Sequence, residues 1–145
     1  MTEAYNKPVP VPQQENDFYW EKCKAHELWL RKCNACSKTY FYPRDFCPNC
    51  HSQDVTWIQT DGKAKLYTFA IAARPPIPTF ADIAPFVTAF VEFDSGGIMA
   101  TNIVGIDQDP DPEKMKEQLK IGMDLEVVFQ DVSDEISLPK FKPAS

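Results

Sequence analysis

The stretch CNACSKTYFYPRDFCPNC, residues 33–50, decides how the rest of the chain is read. It holds two Cys-x-x-Cys pairs, Cys33/Cys36 and Cys47/Cys50, with residues 37–46 between them. Two intervening residues let both sulfurs of a pair turn toward one point, so each pair supplies half of a tetrahedron. Four thiolates around one zinc make a closed structural site, with no position left for water or substrate. Asn34-Ala35 and Pro48-Asn49 inside the pairs suit the tight turns that such knuckles need. The spacing predicts one structural Zn2+ on Cys33, Cys36, Cys47 and Cys50. An iron site with four thiolates has similar spacing. His51, just past Cys50, is a candidate alternate ligand, but with four thiolates present it reads as a surface residue. A disulfide framework suits a short secreted chain, whereas the N-terminus MTEAYNKPVPVPQQEN has no apolar core of the secretory kind. A thioredoxin-like redox pair comes once beside a βαβ pattern and is not repeated a few residues on.

Outward from the ribbon, the composition is that of an ordinary soluble protein. Hydrophobic residues make up 43% and charged residues 25%, and no apolar run is long enough to span a membrane. Thirteen prolines against five glycines favour strands and extended connections over long helices. With cysteines paired for metal and no targeting segment, the expected compartment is the reducing cytoplasm. The net charge of −6 is unevenly spread. Residues 18–76 carry nine Lys or Arg against five Asp or Glu, whereas residues 77–145 carry five against thirteen. A general nucleic-acid binder needs a positive stripe to displace counterions, and the acidic half argues against one.

Residues 1–15 form an arm whose alternating Pro/Val segment, Pro8 to Pro12, cannot be helical. It reads as a disordered tail or as a stiff strip along a partner subunit. Asn16 or Asp17 then caps a helix from Phe18 to about Ala25. Phe18, Tyr19 and Trp20 make an aromatic cluster, either core beneath the ribbon or a partner-docking surface. Cys23 and His26 stand at i and i+3 and are expected to face each other. Without an orienting third group they read as a buried thiol beside a histidine, not as a nucleophile and base.

Strands are predicted over Leu28–Lys32, Tyr40–Pro43, Val55–Ile58 and Lys65–Ala72, with Asp61-Gly62 turning between the last two. A proline-punctuated loop, Arg74 to Pro85, is expected to expose Ile77, Phe80 and Ile83. Phe86–Phe93 and Ile98–Val104 form a hairpin around Asp94 to Gly97. Asp111 caps and Pro112 opens a short helix over Glu113–Leu119, ended by Gly122. Leu125–Val132 and Ile136–Phe141 close the pattern. A hairpin, a helix and two closing strands suit a small Greek-key barrel of the OB type. The fold class is mainly β: an arm (1–15), a helix plus zinc ribbon (16–58) and a five-stranded OB-fold barrel with one short helix (59–145).

These residues together resemble domain-of-unknown-function family 35, in which a helix, a rubredoxin-like zinc ribbon and an OB fold follow one another. The resemblance runs from about Asn16 to Lys142 and is carried by several marks. They are the Phe18/Trp20 helix, Leu28-x-x-x-x-Cys33, the two knuckles with Tyr42-Pro43-Arg44, and the Gly62 turn. Pro85-Phe86, Gly122 and Leu138-Pro139-x-Phe141 complete the set. His26-Glu27 departs from the family, which often has a glycine there, as do Ala64 and the phenylalanine of Pro85-Phe86.

The resemblance implies a non-catalytic companion of a thiolase-fold catalytic subunit, acting on acyl-CoA within a hetero-oligomer. Thiolase-like aldolases and acyltransferases are among such partners, and the small thiolase-partner subunits of anaerobic aromatic degradation, such as benzoylsuccinyl-CoA thiolase, are similar in size. Arg31, Lys32, Arg44, Lys63 and Arg74 are the candidates for CoA phosphates, which need fixed positive charge. Phe80 and Phe86 are the candidate apolar contacts to acyl-CoA or to the partner. No nucleotide-binding glycine fingerprint, nucleophile elbow or His-Glu-x-x-His motif occurs, so no catalytic residue is assigned. Single-stranded nucleic-acid binding on the OB barrel is the alternative.

Overall fold

The computed structural model describes residues 5–75 and 77–144. Helix α1 (Asp17–Lys24) leads into a three-stranded antiparallel sheet of β1 (Trp29–Cys33), β2 (Thr39–Tyr40) and β3 (Val55–Gln59), in the order β2-β1-β3. Five further strands close a barrel: β4 (Lys63–Ala72), β5 (Phe86–Glu92), β6 (Ile98–Ile103), β7 (Asp124–Asp131) and β8 (Ser137–Pro143). Their order, β4-β5-β6-β8-β7 with β7 returning to β4, is that of an OB fold. Strand β4 serves two neighbours: Lys63–Lys65 pairs with β7, and Lys65–Ala72 with β5. A register shift between Leu66 and Thr68 bends the strand between these two duties. A short helix, α2 (Pro112–Lys116), precedes β7, and the Asp111 carboxylate accepts from the Glu113 amide.

Alternation along the strands explains the interior. In β5, Val87, Ala89 and Val91 point inward, while Thr88, Phe90 and Glu92 point out. The inward set joins Leu66, Met99, Ile103, Leu125 and Phe141, and Met115 of α2 packs into the same core. That core does not stop at the barrel: Tyr19, Trp20 and Cys23 of α1, Leu28 just before β1 and Leu30 within it belong to it. Helix and barrel thus share one apolar interior, while the metal end of the ribbon keeps a separate small cluster.

Gly62 sits where the chain passes from ribbon to barrel, at φ +78°, and a Cβ there would stand 2.6 Å from Val127 Cγ1. Gly62→Ala adds left-handed strain to a steric clash, so a loss on the order of 2 kcal/mol is expected. Thermal denaturation checks it; an unchanged midpoint would mean that the turn relaxes freely.

The structure corrects several sequence expectations. The strand expected over Tyr40–Pro43 ends at Tyr40, because Phe41 and Tyr42 bend away to pack against α1. Asn16 is the N-cap residue by position but its side chain does not cap. Its Oδ1 accepts from the Gln13 amide at 2.6 Å, and its Nδ2 donates to the Tyr42 hydroxyl at 2.9 Å. In the loop Arg74 to Pro85, Ile77 is exposed but Phe80 and Ile83 are half-buried, and Phe80 stacks on Phe86 at 5.5 Å. The described part of the arm lies against this loop, where the Lys7 ammonium donates to Asp82 at 2.9 Å. Residues 1–4 of the arm and Pro76 of the loop lie outside the described residues.

Candidate functional site

The two knuckles are built as a pair. Ser37 and His51 take the same place after their Cys-x-x-Cys motifs, with φ 66° and 65°. Their amides donate back to the Cys33 and Cys47 carbonyls at 2.9 and 2.8 Å. The Cys33 and Cys47 amides in turn donate to the carbonyls of Lys38 and Ser52. His51 therefore serves as a left-handed turn residue rather than a ligand. The loops bring the sulfurs of Cys33 and Cys50 to 3.5 Å and those of Cys36 and Cys47 to 3.6 Å. All four lie within 4.8 Å of one another. Sulfurs 2.3 Å from a common tetrahedral centre would stand about 3.8 Å apart, so the set fits a zinc ion.

Electrostatics favour a cation as well. The Lys38 backbone amide draws the Cys36 thiol down to about 6. The Ser52 amide acts on Cys50 in the same sense, yet the Cys33 sulfur and burial outweigh it and push Cys50 up to about 12. Four sulfurs this close cannot all ionise unless a positive ion sits among them. The ion fixes the fold and leaves no open coordination position for chemistry.

A second layer holds the metal loop. The Arg44 carbonyl accepts from the Tyr40 hydroxyl at 2.6 Å and from Arg31 Nε at 3.3 Å. Arg31 also donates to Asp45 at 3.1 Å and lies 4.4 Å over the Trp57 ring. Tyr40→Phe removes the shorter of these bonds just before Cys47. Groups that hydrogen-bond a metal ligand directly are worth about 10–100-fold in metal affinity, and Tyr40 acts one step further out, on the loop carbonyl. Chelator competition is therefore expected to show a loss for Tyr40→Phe at or below the lower end of that range, about tenfold at most; equal retention with the native chain would remove that role.

The candidate CoA-contact residues do not converge. Arg31 is buried and committed to the metal loop, which corrects the expectation that it is free for phosphate. Lys32 is half-buried between Thr39 and Thr56 in the ribbon sheet. Arg44 lies 3.8 Å from Glu15. Lys63 opens β4 opposite Glu126, and Arg74 lies beyond its far end, roughly 30 Å along an extended strand. Phe80 and Phe86 do come together, at the edge of a barrel cavity.

The aromatic trio divides too. Of the two readings open for the trio, core or docking surface, Tyr19 and Trp20 take the first, and the Trp20 indole donates to the Tyr42 hydroxyl. Phe18 is half-exposed between Trp29 and Trp57, at 5.3 and 4.7 Å. The Cys23 thiol and the His26 ring go to different partners. Burial pushes the Cys23 thiol up to about 12, whereas His26 stacks on Phe129 and pairs with Asp131 at 3.0 Å. His26 ends α1 at φ 62°, with amides from His26 and Glu27 returning to the Cys23 and Lys22 carbonyls. It occupies the position that a glycine fills in a Schellman cap, which accounts for that departure.

Two features went unread in the sequence. Tyr67, Phe90 and Ile98 stand exposed on the outer face of β4-β5-β6, with Phe90 opposite Ala100 and Ile98 opposite Glu92. A cavity of about 430 Å3 opens between the loop before β5, the end of β6 and strands β7 and β8. Alternation in β8 marks Lys140 as outward-facing, but folding of the loops over it cannot be read from that pattern.

Comparison with known proteins then places the chain. Residues 57–130 match the family described as ChsH2, C-terminal OB-fold domain, and residues 20–56 match ChsH2, rubredoxin-like zinc ribbon domain. A DUF35 domain-containing scaffold protein of Methanothermobacter thermautotrophicus is 32% identical over 93% of this chain and 87% of its own length. The chain belongs to the DUF35 family. This DUF35 chain superposes on a chain of the Ltp2-ChsH2(DUF35) aldolase with a TM-score of 0.75 and 31% identity, covering 94% of it and all of that chain. A probable enoyl-CoA hydratase alpha subunit of Thermomonospora curvata is 32% identical over 95% of this chain. The chain spans only 40% of that relative's length. One structural zinc on Cys33, Cys36, Cys47 and Cys50 follows from family and geometry together. Among the described residues no helix is long and apolar enough to cross a membrane.

Proposed function

We propose that this protein is a non-catalytic, zinc-held subunit of a thiolase-type acyl-CoA enzyme complex, or of a related aldolase or acyltransferase. The observation that carries the reading is the pairing of a closed four-thiolate site with an exposed apolar strip on a scaffold-family fold. A tetrahedral thiolate site holds shape and offers no reaction position. Tyr67, Phe90 and Ile98 form the docking face for the catalytic subunit, since exposed aromatic clusters mark protein contacts. Phe18, half-exposed between two tryptophans, extends the contact on the ribbon side. Lys32, Arg44, Lys63 and Arg74 stand apart on this chain, so in the assembled complex each meets CoA phosphates only beside cations that the partner supplies. Phe80 and Phe86, stacked on each other, face the acyl side. The catalytic groups belong to the partner.

The test is purification of the tagged chain from its own host. A thiolase-fold protein is expected in fixed ratio, and Phe90→Asp should reduce its recovery at least about tenfold, as loss of a central aromatic anchor does. The variant should keep its zinc. Recovery of the chain alone at low salt would sink the reading and turn attention to oligonucleotides.

A further inference from the structure

The cavity beside Phe86 has a chemical character of its own. Ile83, Phe86, Ile106, Met115 and Phe129 give it apolar walls. Its volume, about 430 Å3, lies within the roughly 300–1,000 Å3 of small-molecule sites. Lys140 is the single charged residue of the lining, which contains no Asp or Glu. That is unexpected where residues 77–145 carry thirteen acidic side chains.

Among the described residues the Lys140 ammonium has no ion-pair or hydrogen-bond partner. The nearby Lys7 is already committed to Asp82. Burial, and then the like charge of Lys7, hold Lys140 below the usual lysine range. The ammonium is nonetheless not sealed off: the one sealed, unpartnered side-chain atom among the described residues is Thr79 Oγ1. The rim is fixed, because the Gln108 amide donates to the Ile83 and Pro85 carbonyls at 2.7 and 3.0 Å. Asn102 donates to the Val87 carbonyl at 2.9 Å.

We propose that this cavity binds a small apolar carboxylate, its head on Lys140 and its chain or ring against Phe86 and Phe129. One cation among apolar walls matches one negative charge on a hydrophobic body. A phosphate or pyrophosphate group needs several converging donors, and the lining offers no second cation. The site does not depend on the partner reading, since all of its walls come from this chain.

The test is an NMR titration of the zinc-loaded chain with octanoate and with octanamide, which share a chain and differ in charge. Octanoate is expected to shift the amides of Phe86, Ile106 and Phe129 and to bind about tenfold tighter than octanamide, the ratio of a charge-assisted bond. Lys140→Met should erase that preference, and Lys140→Arg should keep it. Equal binding of the two probes to the native chain, absence of saturable binding, or shifts confined elsewhere would overturn the site. If Lys140→Met loses its zinc or its spectral dispersion, the native octanoate ratio and Lys140→Arg decide the matter.

Discussion

Cys47→Ser, or removal of the metal by a chelator, is expected to unfold the segment from Cys33 to Val55 while the barrel stays folded. The reason is the poverty of the ribbon's own core. Its buried residues are Cys33, Tyr40 and Cys47, with Cys36 and Val55 half-buried against them. Without the ion those sulfurs become a crowded set of thiols around one tyrosine ring. Structural zinc supplies about 10–16 kcal/mol in small fingers, more than such a cluster can replace. Leu28, Leu30, Trp57 and Ile58 lie nearer the barrel and pack into or against the large core instead. Hydrogen exchange should therefore lose protection at the knuckles and at β2, and keep it at Leu66, Val91 and Leu125. Acid should act in the same direction, because protons compete with the metal for thiolates. Unchanged knuckle protection in the metal-free chain would show that hydrogen bonding alone holds the loops.

Tyr19→Ala should be the most damaging single change outside the metal site. Tyr19 is 1% exposed and its ring meets Trp20, Phe41 and Tyr42. It joins the helix to the bend after β2 and, through the shared core, to the barrel. Truncation of a buried aromatic costs about 3–5 kcal/mol, and the void here opens between two units. A fall in melting midpoint of roughly 10 °C is expected for a chain of this size. The cooperative transition should also split, with ribbon and helix melting before the barrel. A single transition at the native midpoint would mean that the helix contributes little to joining them.

What could be read from sequence was what local chemistry dictates. The cysteine spacing announces its metal because two residues are what a knuckle needs. The barrel strands show because inward and outward residues alternate, as in Val87, Ala89 and Val91 against Thr88, Phe90 and Glu92. Long-range partners were hidden. Asn16 carries the residue type of a cap, but the Tyr42 hydroxyl, 26 positions away, takes its amide. Arg31 looked like a free cation because nothing in the chain order places Trp57 beneath it and the Arg44 carbonyl beside it. Lys140 alternates outward like any solvated lysine, and only the folded loops turn its surroundings into a cavity. Tyr67, Phe90 and Ile98 come from three strands and become neighbours only in the sheet.

On the proposed reading, this chain organises the chemistry of a partner without performing it. Acyl-CoA turnover measured on the chain alone, on its co-purified partner alone and on the two recombined tests that claim most directly. The expected result is no turnover by the chain alone and a rate in the recombined complex that falls when Phe90→Asp prevents assembly. Turnover by the isolated chain, abolished in Cys23→Ala, would contradict it and place a catalytic thiol in the core of α1.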